Sequence, residues 1–162
     1  MISEPKIETR DELPYVSIHT HVAREEIGDV LPPLVPEVFG WLEANQVAPA
    51  GAPFFRYLGF SSDGKMDTEV GVPVAKAVAG SGRVVAGSFP AGRYAVVIHT
   101  GPYHEVGSAH MALMDWGEKN RIAWNQSADG SRWGVHVEFY ITDPENEIDP
   151  ATFETEVAFL LA

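Results

Sequence analysis

The sequence predicts an α+β domain made of two similar units, each with the order strand, helix, strand, strand. Segments with apolar residues at alternate positions, typical of strands, and segments with apolar residues every three or four positions, typical of helices, follow one another in that order twice. In addition, three short segments recur: 16–20 (VSIHT) as 96–100 (VVIHT), 41–45 (WLEAN) as 116–120 (WGEKN), and 68–70 (TEV) as 155–157 (TEV). The three segments recur in the same order, and the number of residues between the two copies varies from one segment to the next, as insertions in loops would cause. This pattern indicates an internal duplication.

A unit with a single helix cannot cover both faces of a sheet. We therefore expect the two units, at about 14–75 and 84–162, to be related by a pseudo-twofold axis. The expected domain has a mainly antiparallel sheet, helices packed on it and a central cleft, which is a favoured place for a ligand. Residues 1–13 are polar and charged, are ended by Pro14, and form a separate N-terminal segment.

The first unit begins with a strand over 15–23, where apolar and polar side chains alternate. The proline-rich segment that follows allows a regular helix only from about Pro36, because proline is tolerated in the first turn alone. The runs 54–60 and 66–74 then predict two strands, joined by a turn at 61–64 that contains Asp-Gly.

The second unit repeats this order. After a glycine-rich crossing, 83–89 predicts a short edge strand and 93–101 the first strand of the unit. A helix over 103–121 carries His110 among apolar residues on one side. Two further strands follow, and their predicted ranges are 133–144 and 153–161.

The strand over 133–144 has a carboxylate in its middle. Val135, Val137, Phe139 and Ile141 share one face, and the other face carries His136, Glu138 and Tyr140. Burying an unpaired charge is expensive, so either this face is solvated or Glu138 has a partner. A half-solvated strand and a binding site both fit the pattern.

The composition is that of a globular domain with an acidic surface. Lysine and arginine number 11 against 23 aspartates and glutamates, and the resulting charge of -12 disfavours phosphate backbones and favours cationic or neutral partners. The absence of cysteine excludes disulfides and thiolate chemistry. With no signal-peptide pattern and no membrane-spanning apolar run, we expect a cytoplasmic protein without membrane contact.

Several motif-based functions are not supported. His104 and His110 are six residues apart, which is not the spacing of helical metal-ligand pairs, so we expect no metal and no other cofactor. There is no Gly-x-Ser-x-Gly element and no phosphate loop. The segment 1–13 is too short for a helix-turn-helix and there is no basic stripe, so direct nucleic-acid binding is not expected.

Five motifs resemble those of one known family: PAGRYA at 90–95, HTGPY at 99–103, Trp116, EFY at 138–140 and TDP at 142–144. Together with the repeated element order they resemble the GyrI-like small-molecule-binding domains, which occur alone and as effector-binding domains of AraC-type and MerR-type regulators. The resemblance implies that Glu138 lies in an aromatic cleft with Tyr103 and Tyr140 and pairs with cationic ligands. As a departure, the last strand lacks the proline that the first repeat has at Pro73.

Three functions remain open. The first is a stand-alone protein that resembles the effector-binding domains of multidrug-sensing regulators and binds hydrophobic cations. Its expected contact residues are Glu138, Tyr140, Tyr103, Tyr57 and Trp116, with Glu156 as a reserve acid. The second, implied by the resemblance for some members, is a hydrolase of strained cyclopropane-containing compounds, with Glu138 as general base or nucleophile and the hydroxyl of Tyr103 steadying the developing charge. The third is an acidic protein that binds and shields a partner enzyme.

Overall fold

The computed structural model describes residues 1–143 and 145–162, which form an α+β domain, as the sequence predicts. The strands are β1 (Lys6–Arg10), β2 (Leu13–Val22), β3 (Phe54–Phe60), β4 (Met66–Pro73), β5 (Val84–Phe89), β6 (Gly92–Thr100), β7 (His136–Tyr140) and β8 (Glu154–Leu160). The helices are α1 (Ile27–Val30), α2 (Leu34–Ala44) and α3 (Gly107–Lys119), and short 3-10 turns lie at Arg24–Glu26, Tyr103–Glu105 and Pro150–Thr152. The strands form one sheet in the order β1-β6-β8-β7-β3-β4-β2-β5, and every neighbouring pair is antiparallel.

The two long helices pack on the same face of the sheet. A row of directly paired residues crosses six strands of this face, and from β2 to β6 it reads Ile18, Val70, Phe55, Glu138, Val157 and Val97. The apolar side of α2 packs over the β2 end of this row, and the apolar side of α3 packs over the β6 end. Glu138, on the central strand β7, therefore lies between the two helices.

The opposite face of the sheet has its own apolar cluster, in which aromatic rings dominate. The rings of Tyr15, Phe54 and Phe89 pack with their centroids 4.8 Å apart in each pair. Tyr94 and Phe139 extend the cluster towards β6 and β7. Because side chains of a strand point alternately to the two faces, Glu138 and Phe139 lie on different faces of the sheet although they are adjacent in the chain.

The N-terminal segment is part of the sheet. Residues 1–13, which composition sets apart, contain β1, which pairs with β6 from Lys6↔Val96 to Arg10↔Gly92. Its charged side chains fit an edge strand, where one side of the strand is open to water. Pro14 does not end this segment but lies in β2, near the start of the strand, a position where a proline is tolerated.

The helices begin differently from their prediction. The first long helix begins at Leu34 rather than near Pro36, and Pro36 lies in its first turn, where its missing N–H leaves no hydrogen bond unmade. The helix predicted over 103–121 is a 3-10 turn followed by α3. No helix in the described part of the chain is both long and apolar enough to span a membrane.

The strand around Glu138 is shorter than predicted. Instead of 133–144, β7 covers His136–Tyr140. Trp133 precedes it and donates its backbone N–H to the carbonyl of Leu58, which connects the incoming loop to β3. Pro144, the last residue of the predicted strand and of the TDP motif, lies outside the described residues.

Candidate functional site

Glu138 is the one charged residue in the row that crosses the sheet under the two helices. Its direct neighbours are Phe55 of β3 and Val157 of β8, and 8% of its surface is exposed. Transferring a carboxylate from water to such a position costs several kcal/mol unless it is paired and hydrogen-bonded. The position therefore requires polar partners.

Both carboxylate oxygens of Glu138 have such partners. Oε1 lies 2.6 Å from Nε2 of His110, and Oε2 accepts a hydrogen bond from the hydroxyl of Tyr140. A second imidazole continues the chain, because Nδ1 of His110 lies 2.7 Å from Nε2 of His136. The two-residue period of β7 places His136, Glu138 and Tyr140 on one face, and His110 reaches them from α3. The sequence leaves open whether this strand face is solvated or Glu138 has a partner, and the structure shows that Glu138 has partners.

Aromatic rings surround the two histidines. The ring of Tyr57 lies 6.1 Å from that of His110 and 5.8 Å from that of His136. Trp133 and Phe159 contact the ring of His136 edge-on, with centroids at 4.3 and 4.2 Å. The imidazole pair thus lies in a largely apolar environment, in which a hydrogen bond is electrostatically stronger than it is in water.

The other end of the network, at Tyr140, is also aromatic. The rings of Phe55 and Tyr103 lie 4.8 and 5.2 Å from the ring of Tyr140. The hydroxyl of Tyr103 does not reach Glu138 but donates to the backbone carbonyl of Thr142 at 3.2 Å. Tyr103 therefore supplies a ring to the site, while its hydroxyl is used to hold the chain after β7.

Burial determines the protonation of the groups around Glu138. Burial, followed by the charge of Glu138, raises the pKa of Tyr57 and of Tyr140 well above the ordinary value of a phenol, so both hydroxyls stay protonated. Burial, followed by the adjacent His110, holds the pKa of His136 well below its usual value, so its imidazole is neutral at neutral pH. The two phenols and His136 are thus uncharged.

Four of the residues predicted for the site lie together, namely Glu138, Tyr140, Tyr57 and Tyr103, and two lie elsewhere. Trp116 is six residues beyond His110 on α3, so it lies on another side of the helix and packs against the cluster under α3. Glu156 faces the opposite side of the sheet, with Oε1 2.7 Å from Nη2 of Arg10. The structure brings neither residue next to Glu138.

Two members of the network, His110 and His136, are not among the residues that the sequence predicts for a site. His110 stands among apolar residues on one side of the predicted helix, and His136 shares the strand face of Glu138. A single polar residue in an apolar stripe is the signal that could have identified His110, because a buried imidazole needs a partner. Spacing along one helix cannot reveal a pair that spans α3 and β7.

The arrangement of these side chains is linear. Within residues 1–143 and 145–162, no group of three histidine, aspartate or glutamate side chains is placed to hold a metal ion. His136, His110 and Glu138 instead bond to one another in sequence. Chemically, such a chain can present one negative charge to a cation or pass a proton along its length.

Solved structures share this fold. The C-terminal domain of EcmrR is 22% identical, with a TM-score of 0.77, and the match covers 98% of this chain and 97% of that domain. EcmrR in its complex with DNA is 24% identical, with a TM-score of 0.75 and 98% of this chain covered, and this chain spans 57% of the EcmrR chain there.

Structures of lower sequence identity show the same fold. SAV2435 bound to tetraphenylphosphonium is 12% identical, with a TM-score of 0.65, and the match covers 99% of this chain and 94% of that protein. A hydrolase from Listeria innocua is 12% identical, with a TM-score of 0.61, and the match covers 98% of this chain and 92% of the hydrolase. None of the curated protein sequences matches this chain significantly.

The sequence profile of one family extends over almost the whole chain. It is described as the GyrI-like small molecule binding domain and matches residues 3–161. The matched range includes β1, which composition alone assigns to a separate segment, and every residue of the Glu138 network. The chain belongs to the GyrI-like family of small-molecule-binding domains, as the resemblance of its motifs predicts.

Proposed function

We propose that this domain binds a hydrophobic cation against Glu138. The observation that carries the proposal is the environment of the carboxylate, which is 8% exposed in an apolar row and is hydrogen-bonded to a phenol and an imidazole rather than to a guanidinium or an ammonium. Each ring face attracts a cation by about 0.5–2 kcal/mol, and a carboxylate of low solvation adds a stronger charge attraction. A cation that carries aromatic groups satisfies both requirements.

The fold of the family supports the choice of ligand class. SAV2435, which shares this fold, was solved with tetraphenylphosphonium, a cation whose charge is surrounded by phenyl groups. A ligand of this kind cannot donate hydrogen bonds, so it depends on ring contacts and on the charge of an anion nearby. The rings of Tyr57, Tyr140 and Tyr103 and the carboxylate of Glu138 offer these two interactions in one place.

The position of the site is part of the proposal. The two units at about 14–75 and 84–162 would place β3 and β7 beside each other at the centre, with α2 and α3 over the strands on either side. The observed strand order β6-β8-β7-β3-β4-β2 supports this arrangement. In it, each unit has its first strand outermost, its third strand next and its second strand at the centre. The ligand would then enter between the two helices and contact the central strands.

The test is a calorimetric titration of the protein and of two variants with tetraphenylphosphonium. Glu138→Gln keeps the shape of the side chain and removes its charge, so we expect affinity to fall at least about tenfold, or about 1.4 kcal/mol. Glu156→Gln is the matched control, because it makes the same change on the neighbouring strand but on the opposite face of the sheet. Equal affinity of the wild type and Glu138→Gln would exclude Glu138 from the site.

A second candidate function is the hydrolysis of strained electrophiles, and the chain Glu138–His110–His136 favours it. Both nitrogens of His110 are bonded within the chain, so a substrate proton would enter at Nδ1 of His136 while the N–H protons of the two imidazoles shift along the chain, and Glu138 would receive one at Oε1 as the terminal base. The measurement is product formation by mass spectrometry from a panel of cyclopropane-containing compounds, with Glu138→Gln as the inactive control. Compounds that bind and are recovered unchanged would contradict this candidate.

A further inference from the structure

An imidazole already occupies the place that the proposed cation needs. His110 reaches from α3 to within 2.6 Å of the Glu138 carboxylate, and its side chain is 16% exposed. Its ring lies 6.1 Å from the ring of Tyr57 and 5.7 Å from that of Phe159. His110 is thus beside the anion and between aromatic rings, and it reaches Glu138 from α3, whereas Tyr140 belongs to the same strand as Glu138.

The hydrogen bonds of this network fit two arrangements of protons on the same heavy atoms. In the first, both imidazoles are neutral, and His110 donates from Nε2 to Glu138 while its Nδ1 accepts from Nε2 of His136. In the second, His110 is an imidazolium that donates from both nitrogens, and Nε2 of His136 accepts. The carboxylate keeps its negative charge in the first arrangement and is neutralised by His110 in the second. A single proton therefore switches the charge of the site without moving a side chain.

Among the groups that face His110, the two phenols and the second imidazole do not compete for this proton. The facing groups are Glu138, His136 and Tyr140 from β7 and Tyr57 from β3, and β8 adds the uncharged ring of Phe159. Burial is the first cause of the raised pKa of Tyr57 and Tyr140 and of the lowered pKa of His136. The phenols thus keep their protons and His136 stays neutral.

We infer that His110 is a built-in counter-ion of Glu138, which a cationic ligand must displace, so that protonated His110 competes with the ligand for the carboxylate. The inference rests on the proposed binding of cations at Glu138. It follows that binding of a cation expels a proton from His110, and that acid weakens binding. Through its own protonation, His110 thereby determines how tightly the site binds a cation.

The experiment titrates the full chain with tetraphenylphosphonium from about pH 5 to pH 8, in buffers of different ionisation heat that count released protons. For the wild type, we expect affinity to rise by up to tenfold per pH unit and then to level off, with up to one proton released per ligand in the rising range. His110→Gln and His110→Leu should bind at about pH 5 as tightly as the wild type does at pH 8, with no proton release. His104→Gln is the control, because His104 lies just before the same helix with 79% of its side chain exposed.

The possible outcomes separate this inference from the function on which it rests. If Glu138→Gln weakens binding but both His110 variants keep the wild-type dependence on pH, cation binding stands and the counter-ion role is wrong. Weaker binding by both variants at every pH would make His110 a ligand contact instead of a competitor, and this too overturns the inference. If tetraphenylphosphonium does not bind, or binds equally to Glu138→Gln, both proposals fail.

Discussion

Two glutamates on neighbouring strands have different hydrogen-bond partners, and the partner determines whether the carboxylate is available to a ligand. Glu138 of β7 is paired with Val157 of β8, so Glu156, one residue earlier on β8, faces the opposite side of the sheet. The side chains are of similar burial, 11% and 20% exposed. Glu156 is bonded to the guanidinium of Arg10, which is permanently charged, whereas the partners of Glu138 are a phenol and an imidazole.

The difference separates a structural carboxylate from an available one. An arginine cannot lose its charge in a protein, so Glu156 keeps a cationic partner whatever the pH and has little to offer a second cation. The pair at Glu138 is neutral only while the imidazole carries a second proton. We therefore expect changes at Glu156 to alter stability alone, and changes at Glu138 to alter both stability and binding.

The largest expected effect on stability is that of Tyr140→Phe. The substitution removes the hydroxyl that donates to Oε2 of Glu138 and keeps the ring that packs on Phe55 and Tyr103. A hydrogen bond to a buried charged group contributes about 1.5–3 kcal/mol, so we expect a loss of about 2 kcal/mol in the free energy of unfolding, measured with urea.

Tyr103→Phe is the matched control for this prediction. Its hydroxyl donates to an uncharged backbone carbonyl, that of Thr142, so the expected loss is about 0.5–1 kcal/mol. Equal losses in the two variants would mean that the Glu138 carboxylate does not depend on Tyr140. The hydrogen-bond network would then not be what offsets the cost of burying this carboxylate.

A smaller effect is expected at the other glutamate. Arg10→Met keeps an unbranched apolar side chain and removes the guanidinium, which pairs with Glu156 and Glu8 and lies over the ring of Tyr94. Because this pair is partly exposed, we expect a loss of about 1 kcal/mol in the free energy of unfolding. The double variant Arg10→Met/Glu156→Gln should recover most of it, since no unpaired charge is left at Glu156.

Binding distinguishes the two regions in the same experiment. Arg10→Met should bind tetraphenylphosphonium with wild-type affinity, because Arg10 and Glu138 are on opposite faces of the sheet. A clear change in affinity, with the variant still folded, would show that the two carboxylates are not independent.

Most of the fold could be predicted because its elements are periodic in the sequence. Alternation and helical spacing locate the strands from β2 to β8 and both long helices, with errors at their ends. Among the strands the exception is β1, whose lysine, glutamate and arginine resemble a polar segment. An edge strand can carry such residues because one of its sides faces water, so its place in the sheet comes from pairing with β6 and not from a local pattern.

The site could be predicted only in part, for a related reason. The two-residue period of one strand is sufficient to place Glu138 and Tyr140 together. The positions of His110 and Glu156 depend on tertiary geometry: how α3 lies over β7, and how β8 is registered against β7. A shift of one residue in that register would exchange the faces of Glu156 and Val157, and the sequence holds no local information on it.

The last prediction concerns pH and has its smallest effect near neutrality. Burial lowers the folded-state pKa of His136 below the value of about 6.5 that an imidazole has in the unfolded chain. Between these two values the unfolded chain binds a proton that the folded protein does not, so stability is complete above about pH 6.5 and is lost as pH falls towards the folded value. His136→Gln has no such proton to exclude, so its stability should fall less steeply between about pH 6.5 and pH 5, with a residual slope from His99, whose pKa burial also lowers. Thermal melts of both proteins across this range measure the difference, which cannot exceed about 1.4 kcal/mol per pH unit for one proton. Arg10→Met should follow the wild-type slope in the same range, because Arg10 lies on the opposite face of the sheet and the substitution leaves His136 unchanged. Parallel curves for His136→Gln and the wild type would mean that His136 takes up its proton as readily in the fold as outside it, and the neutral second imidazole on which the charge switch at Glu138 depends would be lost.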